Sequence, residues 1–311
     1  MSDKIGQLHS VAVQKGGVGK STFSQALAYS YAAKGLKTAL VDLDPQATLT
    51  GAFFGFTYGA FTQTEENGIV SHDVSNITNI FRQDPVKPIK ITTTKYIDNP
   101  NKGKMLQPHY LEEDLIIDFF PSNYQLLDIT ESDDFKRYKK IEIITNFLKN
   151  LKTKYDKVIV DAPPSFGIIT TSILKSSESI LLPVPTKNVD TDGMVGFFRN
   201  LDKIYEKENL DTLNKIVLIP NMFDKRVSDS KETLIEIKRI PTLLHETINI
   251  RHLICKVMDP FPQKACVQEA PSLKYFLVPY IMDFQRSQNQ DIILKIDKIS
   301  DELSNYSLQN E

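Results

Sequence analysis

The sequence has few cysteines and lacks any segment that would direct it into or across a membrane. Its two cysteines, Cys255 and Cys266, have neither the spacing of a metal site nor a second pair to build a disulfide framework. No apolar run reaches the length of a membrane span, and the first residues do not form a signal peptide. We therefore expect a cytoplasmic protein with reduced thiols and no membrane partner.

The chain also has almost no net charge. Its 37 lysines and arginines nearly balance its 39 acidic residues, which gives a formal charge of −2. Such a small charge exerts no overall attraction on nucleic acid, so any DNA binding must come from a local basic patch. Because α/β folds of this length are often single domains, we predict one domain over residues 1–311.

Short apolar runs alternate with longer amphipathic stretches along most of the chain, which is the pattern of repeated βαβ units. The predicted strands are Leu8–Val13, Thr38–Leu43, Leu115–Phe120, Lys157–Asp161, Ser179–Pro183 and Lys215–Pro220. The predicted helices lie near Lys20–Lys34, Lys136–Lys152, Ile168–Ser176, Gly193–Lys207 and Ser230–Leu244. The strands are continuous hydrophobic runs, which is typical of strands buried on both faces. The sequence therefore predicts an α/β fold with a doubly wound, mostly parallel sheet flanked by helices.

Two regions depart from this pattern. Residues around 57–113 are rich in Thr, Asn, Lys and Pro, and we interpret them as a surface insertion with a short helix near Val74–Phe81. A functional lid or partner surface is the alternative. A C-terminal helix is predicted around residues 289–306, with an isoleucine stripe within Asp291–Leu303. Because its polar face is mostly acidic, we expect it to pack against the core rather than on anionic lipid.

The run from Gln14 to Thr22, Gln-Lys-Gly-Gly-Val-Gly-Lys-Ser-Thr, indicates a nucleotide site. It follows the apolar stretch Ser10–Val13 and precedes a helical pattern, which is the context of a phosphate-binding loop. Its three glycines allow backbone N–H groups to turn inward. Lys20 can reach the β- and γ-phosphates, and the Ser21 hydroxyl can bind Mg²⁺. Lys15 adds a second positive charge, which suits a strongly negative ligand.

Carboxylates follow two of the predicted strands. Asp42 and Asp44 end the second strand, and Asp161 ends the apolar run Lys157–Asp161. The carboxyl ends of parallel strands face the ligand crevice, and an apolar strand closed by Asp is typical of a Walker-B element that holds Mg²⁺. Each Asp alone could be a plain turn former. Together with the phosphate loop, they predict a magnesium–nucleotide site.

With these segments the chain resembles the ParA-type partition ATPases of the deviant Walker-A group, which also includes MinD and the nitrogenase iron protein. The resemblance runs from about Gln7 to about Lys238. Its most specific parts are Lys15–Thr22, Asp42–Gln46 and Asp161–Ser165, and Phe120–Asn123 and Pro220–Asn221 support it. Neither the basic tail of MinD nor the cluster cysteines of the iron protein has a counterpart here. The early position of the loop resembles the short form of the family, without an N-terminal DNA-binding domain.

The resemblance implies a role for each residue of the site. Lys15 would cross to the partner subunit's nucleotide in an ATP sandwich dimer, Lys20 would hold the phosphates, and Asp44 would orient the attacking water. Ser21 and Asp161 would hold Mg²⁺, and Asp42 would support either the metal or the switch loop. The nucleotide-binding residues would be Gly16, Gly17, Val18, Gly19, Lys20, Ser21 and Thr22 in the loop, with Pro220 and Asn221 at the adenine. For Pro220 and Asn221 a plain strand-end turn is the alternative.

The resemblance also implies a function. ATP and Mg²⁺ would be the cofactors of a slow ATPase that forms a homodimer on ATP binding and associates with the nucleoid through non-specific DNA contacts. A centromere-binding, ParB-like partner protein would stimulate hydrolysis. The candidate DNA contacts are Lys225, Arg226, Lys238, Arg239, Arg251 and Lys256. Acidic residues are interleaved with them, so a solvated mixed face is the alternative, and the segment Asp259–Gln263 departs from the family pattern.

Two other functions are compatible with the same nucleotide site. A MinD-like or cargo-positioning ATPase would act on a membrane or a protein cluster instead of DNA. A metabolic P-loop enzyme would transfer phosphate to a small molecule, but it would need an acceptor pocket and has no evident use for Lys15.

Overall fold

The computed structural model describes residues 5–13, 16–54, 65–66, 69–70, 75–93, 115–132, 136–186, 191–208, 210–247, 252–272, 277–284 and 286–305. Its strands are β1 (Gln7–Val11), β2 (Thr38–Asp42), β3 (Glu65–Glu66), β4 (Ile69–Val70), β5 (Ile89–Thr93), β6 (Leu115–Phe120), β7 (Lys157–Asp161), β8 (Ser179–Pro185), β9 (Lys215–Asn221) and β10 (Ile254–Val257). Eight of them form one sheet in the order β10-β9-β8-β1-β7-β2-β6-β5. All neighbours in this sheet are parallel except β5 and β6. The predicted mostly parallel sheet is confirmed.

The helices are α1 (Lys20–Ala33), α2 (Thr48–Phe54), α3 (Gln125–Glu131), α4 (Arg137–Lys152), α5 (Ile168–Ser176), α6 (Thr191–Lys207), α7 (Ser228–Thr247), α8 (Ala265–Ser272), α9 (Leu277–Phe284) and α10 (Arg286–Ser304). A 3₁₀ helix covers Ile77–Arg82. No helix within the described ranges combines the length and the apolar composition needed to cross a bilayer.

Helices cover both faces of the sheet, and alternate residues of each central strand point into one of two cores. In β7, Val158 and Val160 pack with Ile144 of α4 and Ile173 of α5, whereas Ile159 packs with α1 on the opposite face. This two-sided burial explains why the strand reads as a continuous apolar run. The nucleotide loop thus starts from a strand at the centre of a fully packed sheet.

The C-terminal helix α10 packs beside α1, as its isoleucine stripe predicts. Ile292, Ile296 and Leu303 are buried in the same core as α1. Polar contacts add to this packing: the Tyr31 hydroxyl donates to the carbonyl of Ser300 at 2.8 Å. The helix following the phosphate loop is therefore fixed by the last described helix of the chain.

The structure contains elements that were not predicted, namely the helices α2, α3, α8 and α9 and strands at the edges of the sheet. Two edge strands, β5 and β10, were not predicted; β5 alternates between partly and fully exposed residues, and β10 does the same. The short helix predicted near Val74–Phe81 is the 3₁₀ helix, which starts after Asn76, whose side chain accepts from the Thr78 N–H at 2.9 Å. Much of the region 57–113 lies outside the described residues, so its role as an insertion stays a prediction.

Candidate nucleotide-binding site

The phosphate loop connects the end of β1 to the start of α1. Gly17 and Gly19 have φ values of +72° and +96°, in the left-handed region that only glycine adopts without strain. Gly19 is the residue before α1, and no described side chain caps this helix end. The first N–H groups of α1 are therefore available to an anion, and the helix dipole favours negative charge there.

A cavity of about 450 Å³ opens in front of this loop. The loop side is formed by Gly16, Gly17, Gly19, Lys20, Ser21 and Thr22, and Asp44, Gln46 and Thr48 line it from the segment after β2. The rest of the wall is formed by Pro164, Asn221, Met222, Pro262, Gln263, Lys264 and Val267. Its volume lies within the usual range of small-molecule sites. Of the loop residues predicted to bind nucleotide, Val18 is buried behind the cavity.

Ser21, which lines the cavity, contacts the buried carboxylate of Asp161. The Ser21 hydroxyl donates to Asp161 Oδ2 at 2.6 Å, and Ser24 Oγ lies 2.9 Å from Asp161 Oδ1. Asp161 is fully buried. A hydroxyl and a carboxylate are ligands that Mg²⁺ accepts while it keeps several waters, so this pair fits a magnesium ion. The contribution of Ser24 was not predicted, because a serine four residues after a loop lysine has no distinctive pattern.

Asp42 and Asp44 have different surroundings, although only one residue separates them. Both oxygens of Asp42 accept hydrogen bonds from residues that follow it in the chain. Oδ1 accepts from the Asp44 N–H at 3.0 Å. Oδ2 accepts from the N–H of Thr50 at 2.9 Å and from its hydroxyl at 2.7 Å. Asp44 lines the cavity, and its Oδ1 accepts from the Gln46 N–H at 2.9 Å. The geometry therefore favours Asp42 as an organiser of the loop and Asp44 as the carboxylate available to a ligand.

Burial raises the pKa of all three carboxyl groups. The pKa of Asp161 rises to about 6, although the Ser21 hydrogen bond and the charge of Lys20 oppose the shift. The pKa of Asp42 lies well above its usual value because of burial and the neighbouring charge of Asp161. Burial also raises the pKa of Asp44. Because so much buried negative charge is costly, a divalent cation would stabilise the ionised forms.

Asn221 connects the end of β9 to the phosphate loop. Its side-chain amide donates to the Val18 carbonyl at 2.8 Å, and its Oδ1 accepts from the Met222 N–H at 2.8 Å. Asn221 lines the cavity, and Pro220 lies one residue earlier in the buried strand. Asn221 therefore supports the loop in addition to any contact with a base, and the adenine role of both residues stays a prediction.

The segment Asp259–Gln263, which departs from the family pattern, forms part of the cavity wall. The Phe261 N–H donates to the Pro220 carbonyl at 2.7 Å, and the Gln263 N–H donates to the Phe223 carbonyl at 3.1 Å. The Phe261 ring also packs against Phe23 of α1, with 4.9 Å between ring centroids. More than 200 residues separate this segment from the phosphate loop, so its place in the site could not be predicted from local sequence.

Comparisons with known proteins identify the family of this chain. A family model described as an AAA domain matches residues 6–215, which is more than half of the chain. The chain belongs to this family. The matched region contains the phosphate loop, Asp42, Asp44 and Asp161, and the resemblance to the ParA group is confirmed.

Members of known function and solved structures resemble this AAA-domain chain over most of its length. It is 24% identical over 294 residues to the sporulation initiation inhibitor protein Soj of Bacillus subtilis, covering 94% of this chain and 98% of Soj. The fold of pNOB8 ParA matches with a TM-score of 0.67 at 19% identity over 96% of this chain and 98% of that one. The same protein has been solved bound to nonspecific DNA, with a TM-score of 0.61 at 17% identity over 97% and 100% of the two chains.

A metabolic enzyme has the same fold. Cobyrinic acid a,c-diamide synthase from Mycobacterium smegmatis, solved with ADP and magnesium, matches with a TM-score of 0.61 at 18% identity, covering 96% of this chain and 94% of the enzyme. Similarity at this level of identity establishes the fold alone.

The candidate DNA-contacting residues lie on three elements of this AAA-domain chain. Lys225 and Arg226 are exposed between β9 and α7, Lys238 and Arg239 are exposed on α7, and Lys256 lies on the edge strand β10. Two of them are already paired: Arg226 with Asp224 at 2.8 Å, and Lys256 with Glu302 of α10. Lys15 and Arg251 lie outside the described residues, so their predicted roles stay predictions.

Proposed function

We propose that this protein is an ATP-dependent dimerisation switch that acts in the partition of DNA. In this proposal it hydrolyses ATP slowly with Mg²⁺, binds DNA without sequence preference as the ATP dimer, and is stimulated by a ParB-like centromere-binding protein. The resemblance to the ParA group and the structure of pNOB8 ParA bound to nonspecific DNA are the comparisons that support the partition role. We further propose that residues 1–311 form a single ATPase domain.

The observation that supports the proposed ATP binding and hydrolysis is the contact between Ser21, which lines the cavity, and the buried Asp161. Its 2.6 Å hydrogen bond brings a hydroxyl and a carboxylate together beside Lys20, at the open N-terminus of α1. Phosphoryl transfer requires a metal, a cation on the phosphates and a helix N-terminus facing them, and little covalent chemistry from the protein. We assign Mg²⁺ to Ser21 and Asp161, and the phosphates to Lys20 and the loop N–H groups.

Asp44 is the residue that we assign to the attacking water. It is the carboxylate from the segment after β2 that lines the cavity, and one of its oxygens is fixed by the Gln46 N–H. The second oxygen, Oδ2, is then available to orient a water in line with the γ-phosphate. Lys15 would complete the site from the other subunit, so that hydrolysis waits until two loaded subunits meet.

Mutations of Lys20 and Asp44 test the proposed ATP binding and ATP hydrolysis. Lys20→Ala is expected to abolish ATP binding, because it removes the cation beside the phosphates. Asp44→Ala is expected to bind ATP but not hydrolyse it, and to remain on DNA as a dimer. Asp44→Asn is the matched variant, since it can retain the oxygen that accepts from Gln46 and replaces the other oxygen by an uncharged NH₂ group. Wild-type turnover by Asp44→Ala would show that the assigned role is wrong.

DNA binding is tested separately from hydrolysis. Among the described candidates, Lys225, Lys238 and Arg239 have no carboxylate within ion-pair distance, so we assign the phosphate contacts to them first. Replacing Lys238 and Arg239 by glutamine should lower DNA affinity with ATP and reduce the slope of log K against log salt by about 0.9 for each lost phosphate contact. Lys231→Gln, at another exposed lysine of α7, is the control and should change the slope less.

Co-sedimentation with DNA and with anionic liposomes separates partition from membrane positioning. In the presence of ATP the protein is expected in the DNA pellet and not in the liposome pellet. Binding to liposomes without binding to DNA would refute the partition role, even if the ATPase activity is as proposed.

A further inference from the structure

Thr50 is a fully buried side chain next to the nucleotide site for which neither the loop pattern nor the resemblance gives a role. It lies in α2, eight residues after Asp42, and it has no measurable exposure to solvent. Its hydroxyl lies between two groups from different parts of the fold. It donates to Asp42 Oδ2 at 2.7 Å, and it accepts from the N–H of Ser122, after β6, at 3.0 Å.

These two contacts fix the direction of the hydroxyl hydrogen. A backbone N–H can only donate, so the Ser122 contact uses a lone pair of Thr50 Oγ1. The single hydrogen of the hydroxyl is then left for its other neighbour, Asp42 Oδ2. All three residues are buried away from bulk solvent. The Thr50 hydroxyl is therefore oriented at both ends, and it holds the Asp42 carboxylate in one rotamer.

The oriented Asp42 carboxylate in turn holds Asp44, the residue that lines the cavity. With Oδ2 held by Thr50, its Oδ1 accepts from the Asp44 N–H at 3.0 Å and so fixes the backbone of Asp44. The same loop contains Ala47, whose φ of +51° is strained for a residue with a β-carbon. A strained loop needs contacts with other segments of the chain to keep one conformation. Within the described residues, Thr50 provides one contact to Asp42 of β2 and another to Ser122, which follows β6.

We propose that Thr50 is a positioning residue for ATP hydrolysis, which orients Asp42 and thereby keeps the Asp44 carboxylate at the cavity. This inference rests on the proposed ATPase function. It predicts a specific kinetic defect: loss of the hydroxyl should slow turnover, whereas ATP binding, which depends on the phosphate loop, should be retained.

Thr50→Val and Thr50→Ser form the test. Valine keeps the shape of threonine and removes the hydroxyl, whereas serine keeps the hydroxyl and removes only the methyl group. We expect Thr50→Val to lower kcat by about 10–100-fold, the usual effect of losing a hydrogen-bond partner that orients a functional carboxylate, with ATP affinity unchanged. Thr50→Ser should restore most of the rate. Thr50→Val combined with Asp44→Asn should be no slower than Asp44→Asn alone, because both act through the same carboxylate.

Amide hydrogen exchange provides a readout that does not depend on turnover. In folded Thr50→Val the amides of Asp44 and Ser122 should exchange faster than in the wild type, and Thr50→Ser should restore their protection. The inference is overturned if Thr50→Val has wild-type kcat, if Thr50→Ser is as slow as Thr50→Val, or if the double variant is slower than Asp44→Asn alone. If the wild type has no turnover, the proposed function fails, and exchange alone decides: faster exchange of Asp44 supports positioning by Thr50, and unchanged exchange refutes it.

Discussion

Replacing Gly19 by alanine should destabilise the protein more than the same change at the other glycines of the phosphate loop. Two physical costs coincide at this position. Its φ of +96° lies in the left-handed region, and a β-carbon built there would lie 2.9 Å from the amide nitrogen of Asn221. That nitrogen cannot simply move away, because it donates to the buried Val18 carbonyl at 2.8 Å.

The expected magnitude follows from these two costs. An alanine in the left-handed region costs about 1–2 kcal/mol. Displacing Asn221 leaves the Val18 carbonyl without its donor, and an unsatisfied buried polar group costs about 1–3 kcal/mol. Gly19→Ala should therefore lose roughly 2–5 kcal/mol of unfolding free energy, a large part of the stability of a typical domain.

Urea unfolding of three single variants tests this reasoning. Gly17→Ala has the strained φ of +72° but no atom within 4 Å of its β-carbon, so it should lose only the conformational part, about 1–2 kcal/mol. Gly16→Ala has neither cost and should unfold as the wild type does. If Gly19→Ala loses no more than Gly17→Ala, Asn221 yields without cost and the packing argument is refuted. A loss for Gly16→Ala as large as for Gly19→Ala would refute the conformational argument as well.

Two further predictions concern His9 of β1 and Tyr31 of α1. Burial and the nearby charge of Lys157 lower the pKa of His9 well below 6.5. The unfolded chain therefore binds this proton more readily than the folded protein does. As the pH falls below 6.5, His9 should lower the free energy of unfolding by up to about 1.4 kcal/mol for each pH unit. Urea unfolding from pH 8 to pH 5 should show a smaller loss for His9→Asn than for the wild type, and parallel curves would contradict this. Tyr31→Phe removes the hydrogen bond to the Ser300 carbonyl and should cost about 1 kcal/mol of unfolding free energy, with faster amide exchange in α10; unchanged exchange would show that the apolar stripe alone fixes that helix.

The central part of the fold could be predicted because its burial is visible in the sequence. β7 and β9 are buried on both faces, so they appear as unbroken apolar runs with turn residues at their ends. The edge strands gave no such signal. In β10 the exposed Ile254 and Lys256 alternate with half-buried residues over only four positions, which is too short a pattern to distinguish from a loop.

The phosphate-loop side of the site could be predicted because each part of it belongs to a local sequence motif. Ser21 and Asp161 were predicted from separate motifs, and the parallel pairing of β1 and β7 brings those motifs together. The cavity residues outside the phosphate loop and the contact between Thr50 and Ser122 depend on chain segments that only the complete fold brings together. A single sequence gives no information about such pairs, because neither partner belongs to a local pattern.

The buried charge of Lys20 affects how mutants of this protein will behave in a cell. Burial raises the pKa of both Asp44 and Asp161, and the charge of Lys20 opposes this shift and so reduces the cost of burying them. Lys20→Ala removes that compensation, and the folded state then contains buried negative charge without the opposing charge of Lys20. Such a chain would unfold more often and be degraded faster, so that its concentration would fall along with its nucleotide binding. A segregation defect in a Lys20→Ala strain would then combine two effects, and matched protein levels would be needed to attribute the defect to the lost ATP.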